Sequence, residues 1–462
     1  MRAKLAVVIV AVAATVFYVL IALGSFRGFS LGMDLGIFDQ AVRAYAHFQT
    51  PYIQMKAQGG FNILGDHFSP IIALLAPFYW IWPDARMLMC AQAVLFGFSV
   101  GFVGWYAWRR GLGWAAVVVA GGLAGSFGVL AAAVFDFHEI AFGLPVLVWA
   151  LWAFLEHRDG QLIAACLVMC LVKEDMPMYA AGIGLALFVT GRRLFGLIMA
   201  VASVAVTLLL VLVVIPHFNY AGHYAYIGAG SRGLGSIGDA LNMLLAHLAS
   251  GTGVSFLLLI IVTAGLGVRR PIMLAVLPTI LFRLMATDTV YLGFRYQYGV
   301  LLTGVCIMAV IDGWAALDDR RGQWVATLKT AQVGLLLLGA VAGVFASGAT
   351  QRVGMLRGMD DVLADKAAVQ ALIPDGANVA ADVYLVPQIV DRTLVQQVYP
   401  DFVDETGVPV RADYVFLDTE TIAYNNWDDQ WTKQLIDRLT GPDGGYELVD
   451  QTGRFVLLER TG

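Results

Sequence analysis

The chain has 462 residues, 59% of them hydrophobic and only 14% charged, with a mean hydropathy of +0.74. A soluble domain averages roughly 25% charged residues, so the composition excludes a soluble globular protein and implies a polytopic membrane protein. Residues 351–462 carry 19 acids and 9 bases, against 15 acids and 20 bases in residues 1–350; an acidic tail of this kind excludes nucleic-acid binding, which needs a basic patch.

The chain opens on MRAK and then LAVVIVAVAATVFYVLIALG, which is about as long as a helix must be to cross a bilayer. A signal peptide has a shorter apolar region and a small-residue cleavage site, so this segment predicts a first transmembrane helix over 5–24. Further apolar runs follow at 86–108, 112–133, 140–156, 161–173, 176–190, 194–216, 251–267, 271–286, 297–314 and 325–347, making about eleven spans if each crosses once. FSPIIALLAPFYWIWP (68–83) is also apolar, but Pro70, Pro77 and Pro83 break it, which predicts a re-entrant or interfacial helix. Cytoplasmic loops carry an excess of Lys and Arg. Alternating the spans from a cytoplasmic N-terminus puts Arg2 and Lys4, Arg109-Arg110, Arg192-Arg193, Arg269-Arg270 and Arg320-Arg321 all inside. The expectation is a multi-pass membrane domain over 1–350, with a long first outer loop over 25–67, and a soluble extracytoplasmic tail over 351–462.

That layout puts five charged motifs on the outer side. They are GMDLGIFDQAVRAY with Asp34 and Asp39, ILGDHFSP with Asp66 and His67, AVFDFHEIAF with Asp136, His138 and Glu139, LVKED with Lys173, Glu174 and Asp175, and TDTVYLGFRYQYG with Asp288 and Arg295. An ionisable group at membrane depth costs roughly 2.5–3.5 kcal/mol at a helix centre, so their gathering on one side points to a shared polar cavity. The segment IFDQAVRAYAHF has helical periodicity, which predicts an interfacial helix from about Gly36 with Asp34 in the turn before it. Any one motif also fits an ordinary helix end, where an acid near the N-terminus is favourable. Asp66, His67 and Glu139 are the candidate ligands of a divalent cation, Mg or Mn.

In the tail, NVAAD, TLVQQVY and ADYVFLD read as strands, WDDQWTKQLIDRL as an amphipathic helix, and YELVDQTGRFVLLER as a hairpin around Thr452-Gly453. This is a small α/β domain without a GxGxxG or P-loop pattern, so no nucleotide is implied. All four cysteines, Cys90, Cys166, Cys170 and Cys306, lie in apolar segments and form no disulfide framework.

As a set, DLGIFDQ, GDHFSP, FHEIAFGLP, VKED, IPDGANV and ADYVFLD resemble a family of bacterial predicted membrane proteins with a domain of unknown function, grouped with the GT-C glycosyltransferase superfamily. The resemblance runs over nearly the whole chain. It implies an α-helical, GT-C-like polytopic protein of the bacterial plasma membrane with a small extracytoplasmic α/β domain. It also implies an enzyme that takes a sugar from a polyprenyl-phosphate donor and transfers it to a cell-envelope glycan, lipid or protein on the outer face. Asp34 matches the acid of the superfamily's first outer loop, the candidate general base; Asp39, Glu174 and Asp175 are the other candidate catalytic acids. Transfer from a lipid phosphate to a hydroxyl needs a carboxylate to take the proton and cations to receive the leaving phosphate. Arg295, Lys173 and His138 are the candidates for that second role. No clean DxD motif is present, which leaves metal dependence open. A transporter or flippase of a lipid-linked intermediate and a non-catalytic envelope assembly protein are the alternatives. A transporter should carry polar groups along the whole crossing and often internal repeats, and the one-sided gathering of charge favours the enzyme.

Overall fold

Where water cannot reach the backbone, each N–H and C=O must find its partner within the segment, so long apolar runs become helices. The computed structural model describes residues 1–226, 237–285, 289–317, 322–404, 406–420 and 430–461; Asp288, Arg320-Arg321 and the start of the predicted tail helix at 427–429 lie outside the described residues. The helices are α1 (Arg2–Arg27), α2 (Met33–Ala46), α3 (Ala76–Tyr79), α4 (Ala85–Arg109), α5 (Ala115–Ala124), α6 (Phe127–Ala133), α7 (Ile140–Leu155), α8 (Asp159–Val172), α9 (Pro177–Val189), α10 (Arg193–Leu209), α11 (Ile215–Phe218), α12 (Ile237–Ala249), α13 (Gly251–Ala264), α14 (Leu277–Met285), α15 (Val300–Ala315) and α16 (Gln323–Ala346).

Among the described residues, α1, α4, the continuous run α10–α11 and α16 are long and apolar enough to cross a membrane alone. The pairs α5–α6 and α12–α13 pass only as broken spans, bent by 43° and 77°. The other predicted spans, at 140–156, 161–173, 176–190, 271–286 and 297–314, fall on shorter apolar helices. Length and composition therefore support four to six spans, fewer than about eleven separate crossings. The difference lies in burial: α15 is enclosed almost throughout, so it is apolar because it faces protein on every side. The Pro-broken stretch at 68–83 makes a 3₁₀ turn over Pro70–Leu75 and then α3, too short to cross.

Basic residues gather at one end of the bundle. Arg110 pairs with Glu156 at the ends of α4 and α7, Arg192 with Asp159 at the starts of α10 and α8, and Arg270 with Asp312 near the end of α15. Lys4 sits over Trp108, joining the start of α1 to the end of α4. The loops bearing Asp34, Asp66, Asp136 and Glu174 lie at the opposite ends of these helices.

The α1–α4 contact is made by small residues. A side chain at Gly104 would meet Val7 at 2.6 Å and Ala120 at 2.8 Å, one at Gly101 would meet Ala11 at 3.1 Å, and one at Gly97 would overlap Thr15. In lipid there is no hydrophobic force between helices, so close backbone approach is what holds them.

In the first loop, β1 (Tyr52–Ile53) pairs antiparallel with β2 (Phe61–Asn62). After α17 (Ala349–Gly354) and α18 (Asp360–Gln370), the tail builds a five-stranded mixed sheet with α19 (Val386–Ile389) and α20 (Trp431–Thr440). Its strands β3 (Asn378–Ala381), β4 (Leu394–Gln397), β5 (Tyr414–Asp418), β6 (Tyr446–Thr452) and β7 (Phe455–Arg460) lie in the order β4-β3-β5-β7-β6. The β3 strand runs parallel to β4 and β5, and the β6–β7 hairpin closes the antiparallel edge, turning through Gly453 at φ +57°. This sheet rests on the first loop. Gln40 Nε2 donates to the Val395 carbonyl at 2.7 Å, Gln388 Nε2 donates to the Phe26 carbonyl at 2.9 Å, and Phe29 meets Phe455 ring to ring at 5.7 Å.

Gly104→Leu is expected to lower the detergent melting temperature, at a cost of about 1–3 kcal/mol from overpacking. A thermal scan of the purified protein measures this, and an unchanged midpoint would mean that α1 and α4 do not meet there.

Candidate active site

The first turn of α2 carries Asp34, because the helix starts at Met33. The predicted start near Gly36, with Asp34 in the preceding turn, is corrected. The N-cap residue, Gly32, has no side chain to offer the unsatisfied N–H groups of that turn. Asp136 supplies the cap from the loop between α6 and α7: its Oδ1 accepts from Gly32 N–H at 2.8 Å and its Oδ2 from Leu35 N–H at 3.2 Å. Burial first, and then the charge of Asp34, push the Asp136 carboxyl up to about 6.

The same loop brings His138 to Asp34, with Nε2 3.3 Å from Oδ2. His138 Nδ1 lies 3.1 Å from the Asp136 carbonyl. A carbonyl can only accept, so Nδ1 carries a proton. A second proton must then lie between Nε2 and the Asp34 carboxylate. Burial opposes charge on both groups, but their mutual hydrogen bond and attraction outweigh it, holding His138 above its ordinary value and Asp34 below its own. The pair is an imidazolium facing a carboxylate. The His138 ring is clamped by Phe135, stacked at 5.3 Å, and by Phe38 at 5.6 Å. The Asp34 side chain remains 33% exposed, so part of it faces an opening.

Behind this pair lies a second ionic layer. Glu139 is fully buried and meets Lys173 Nζ at 2.8 Å. The Glu174 carboxylate lies 2.7 Å from His67 Nδ1 and accepts from Phe68 N–H at 3.1 Å and from Tyr224 hydroxyl at 2.7 Å. Its pKa falls to about 2: burial raises it, and the His67 charge and hydrogen bond, Lys173 and Tyr224 more than reverse that. Asp66 meets Lys56 at 2.8 Å and accepts from Tyr226 hydroxyl at 3.2 Å, while the Tyr226 ring stacks on His67 at 4.8 Å.

These partners sort the predicted acids. Glu174 has its oxygens filled by three donors, so it ties loop 63–68 and residues 219–226 to the turn between α8 and α9. Asp39 is fully buried, bonded to Arg43 at 2.7 Å and to the Tyr79 hydroxyl; it fastens α2 to α3. Both are corrected from catalytic acid to structural anchor, because neither offers a free oxygen to a substrate. Asp175 is exposed and makes no side-chain ion pair or hydrogen bond among the described residues. Asp66, His67 and Glu139 do not form a metal site as placed: each is committed to a different partner, Lys56, Glu174 and Lys173 respectively. Among the described residues there is no group of three or more His, Cys, Asp or Glu that could hold a metal ion.

Arg295 is exposed and makes no side-chain hydrogen bond or ion pair among the described residues. Its neighbours place it on the rim. Tyr296, at a left-handed φ of 54°, packs on Phe135 at 4.6 Å, and Tyr298 lies within electrostatic reach of Lys173 and Asp34. Lys56, Asp136, Tyr224, Tyr226 and Tyr298 are the residues that sequence reasoning did not assign to the site. Of these, Asp136 carried a signal through its place in FDFHE, and Tyr298 through its place in FRYQY.

The family model described as "Predicted membrane protein (DUF2079)" matches residues 27–453. The chain belongs to the DUF2079 family of predicted membrane proteins. Among curated proteins none matches it. The crystal structure of ArnT from Cupriavidus metallidurans bound to undecaprenyl phosphate is similar in fold, with a TM-score of 0.53 at 13% identity, covering 96% of this chain and 97% of that one. The DUF2079 chain therefore has the GT-C fold expected from its motifs.

The His67–Glu174 bridge sets a pH dependence. Burial and Lys173 pull His67 down, but Glu174 and Asp66 hold it above its ordinary value of 6.5. Its contribution to stability is full below 6.5 and is lost as pH rises through the raised value; that of Glu174 is lost only as pH falls toward about 2. The melting temperature of His67→Gln is expected to lie below wild type at about pH 6 and to approach it as pH rises through the raised value, where His67 loses its charge. A gap that stays constant across thermal scans would contradict the bridge.

Proposed function

We propose that this DUF2079 protein is an integral-membrane glycosyltransferase of GT-C type. It transfers a sugar from a polyprenyl-phosphate donor to a hydroxyl of a cell-envelope glycan, lipid or protein. The observation that carries the proposal is the partly exposed Asp34 carboxylate, held ionised by His138, beside a cluster in which Glu139, Glu174 and Asp66 are each paired with a base. The overall fold likeness to ArnT, crystallised with undecaprenyl phosphate, supports the lipid class of the donor. The basic end of the bundle faces the cytoplasm by the positive-inside rule, so the site and the C-terminal sheet face outward.

In the reaction, the acceptor hydroxyl oxygen bonds to the anomeric carbon of the sugar. The bond from that carbon to the phosphate oxygen breaks, and the polyprenyl phosphate leaves with the electron pair. Asp34 takes the hydroxyl proton through the oxygen not facing His138. His138 keeps Asp34 oriented and ionised. Arg295 on the rim, unpaired among the described residues, and Lys173 receive the phosphate; guanidinium suits phosphate oxygens.

Purified protein incubated with radiolabelled polyprenyl-phosphate sugars and envelope acceptors tests this. Asp34→Asn is expected to lower kcat by about 10²–10⁴-fold, the usual worth of a general base, with donor binding retained. Because His138 is charged only below its raised pKa, wild-type kcat/KM is expected to fall on the alkaline side, and His138→Gln to lose that limb. Transfer unaffected by Asp34→Asn would remove it as base, and no transfer with any donor would contradict the enzyme reading.

A further inference from the structure

A second polar cavity, of about 450 Å³, lies away from Asp34, between the end of α1, the start of α4 and the tail helices α18 and α19. Its charged walls are Arg27, Arg86 and Lys366 on the cationic side and Asp84 and Asp391 on the acidic side. Some of these charges are already used. Asp84 caps α4 and holds Arg86, whose guanidinium lies over Phe26 at 5.1 Å and Trp82 at 5.9 Å. Arg27 pairs with Asp360, but its Nε is buried without a hydrogen-bond partner.

Two wall charges, Lys366 and Asp391, attract each other across the cavity but make no direct ion pair. Lys366 is half-buried and donates to Gln388 Oε1 at 3.3 Å; among the described residues it makes no ion-pair contact, and neither does the exposed Asp391. A half-buried ammonium without a carboxylate is costly, and an anion entering the cavity would relieve that cost. Asp391 feels Lys366, Arg43 and Arg392 only at longer range, so its carboxylate has room to contact a cationic group. The cavity therefore matches a ligand carrying both signs a few atoms apart.

Its surroundings indicate where such a ligand comes from. The wall includes Leu23 and Phe26 at the end of the membrane helix α1. Trp80, Ile81 and Trp82, just before α4, expose 63%, 84% and 38% of their surface. Exposed tryptophans at a helix end mark the headgroup level of a bilayer.

We propose that this cavity binds the headgroup of a zwitterionic aminophospholipid, with the phosphate on Lys366 and Arg27 Nε and the ammonium on Asp391. The site lies apart from Asp34, and it stands whether or not the chain transfers sugars.

Native mass spectrometry of the full chain in detergent, titrated with phosphatidylethanolamine or phosphatidylglycerol, tests the assignment. The two lipids share a phosphate, but only the first has an amine. Wild type is expected to bind phosphatidylethanolamine about tenfold more tightly, the worth of one charge-assisted contact. Lys366→Gln is expected to weaken both lipids, Lys366→Arg to bind as wild type, and Asp391→Asn to weaken phosphatidylethanolamine alone, which erases the preference. Equal affinity of wild type for the two lipids, or a preference unchanged in Asp391→Asn, would overturn the proposal. Soluble phosphoethanolamine separates the two sources of this chemistry. Binding at least tenfold weaker than the lipid supports a membrane ligand, and equal binding overturns it in favour of a free small molecule.

Discussion

The carboxylate of Asp136 on the N-terminus of α2 is the contact from which the charged end of the bundle around Asp34 is built. Gly32 leaves the first turn of α2 uncapped, and two N–H groups there would otherwise lie buried and unsatisfied at a cost of about 1–3 kcal/mol each. Asp136 satisfies both from a loop more than a hundred residues away. That single contact fixes where α2 begins, puts Asp34 in its first turn, and draws His138 onto Asp34 two residues later in the same loop.

The remaining charges obey one constraint: a charge held among apolar atoms must be paired or hydrogen-bonded. Glu139 has Lys173, Asp66 has Lys56, Glu174 has His67 and Asp39 has Arg43. Each pair also crosses between separate stretches of chain, except the i, i+4 pair within α2. The outer end is thus stitched by charge where the rest of the bundle is packed by small and branched apolar residues. What distinguishes Asp34 and Asp175 is that both stay partly exposed, as does Arg295, which is unpaired among the described residues. The C-terminal sheet closes the assembly by resting on the first loop through Gln40, Gln388 and Phe29.

Much of this was legible in the residues. The apolar runs gave the helices, because hydropathy over about 20 residues reports directly on helix formation in lipid, and alternation with turn signals gave each described strand of the tail sheet. The five charged motifs were rightly suspected of meeting: four of them share direct contacts, and the fifth reaches them through Tyr296 and Tyr298. Sequence could not say which acid does what, since that depends on partners distant along the chain. Glu174 and Asp175 are adjacent in KED, yet one is saturated by His67, Phe68 and Tyr224 while the other is open. The start of α2 was misplaced for the same reason, as its cap comes from Asp136. Which of the apolar helices cross on their own is not legible in the residues, because an enclosed helix such as α15 and a membrane-spanning one have the same composition.

The central claim is that the partly exposed face of Asp34 is where a polyprenyl phosphate is held, with Lys173 and Arg295 proposed to receive the phosphate. An experimental structure of the full chain with undecaprenyl phosphate tests it most directly. The account predicts the phosphate within hydrogen-bond reach of Lys173 or Arg295 and beside Asp34, on the same side as the C-terminal sheet. A phosphate bound instead at the opposite end of the bundle, in the largely apolar cavity of about 500 Å³ bordered by Arg269 and Arg270, would contradict it.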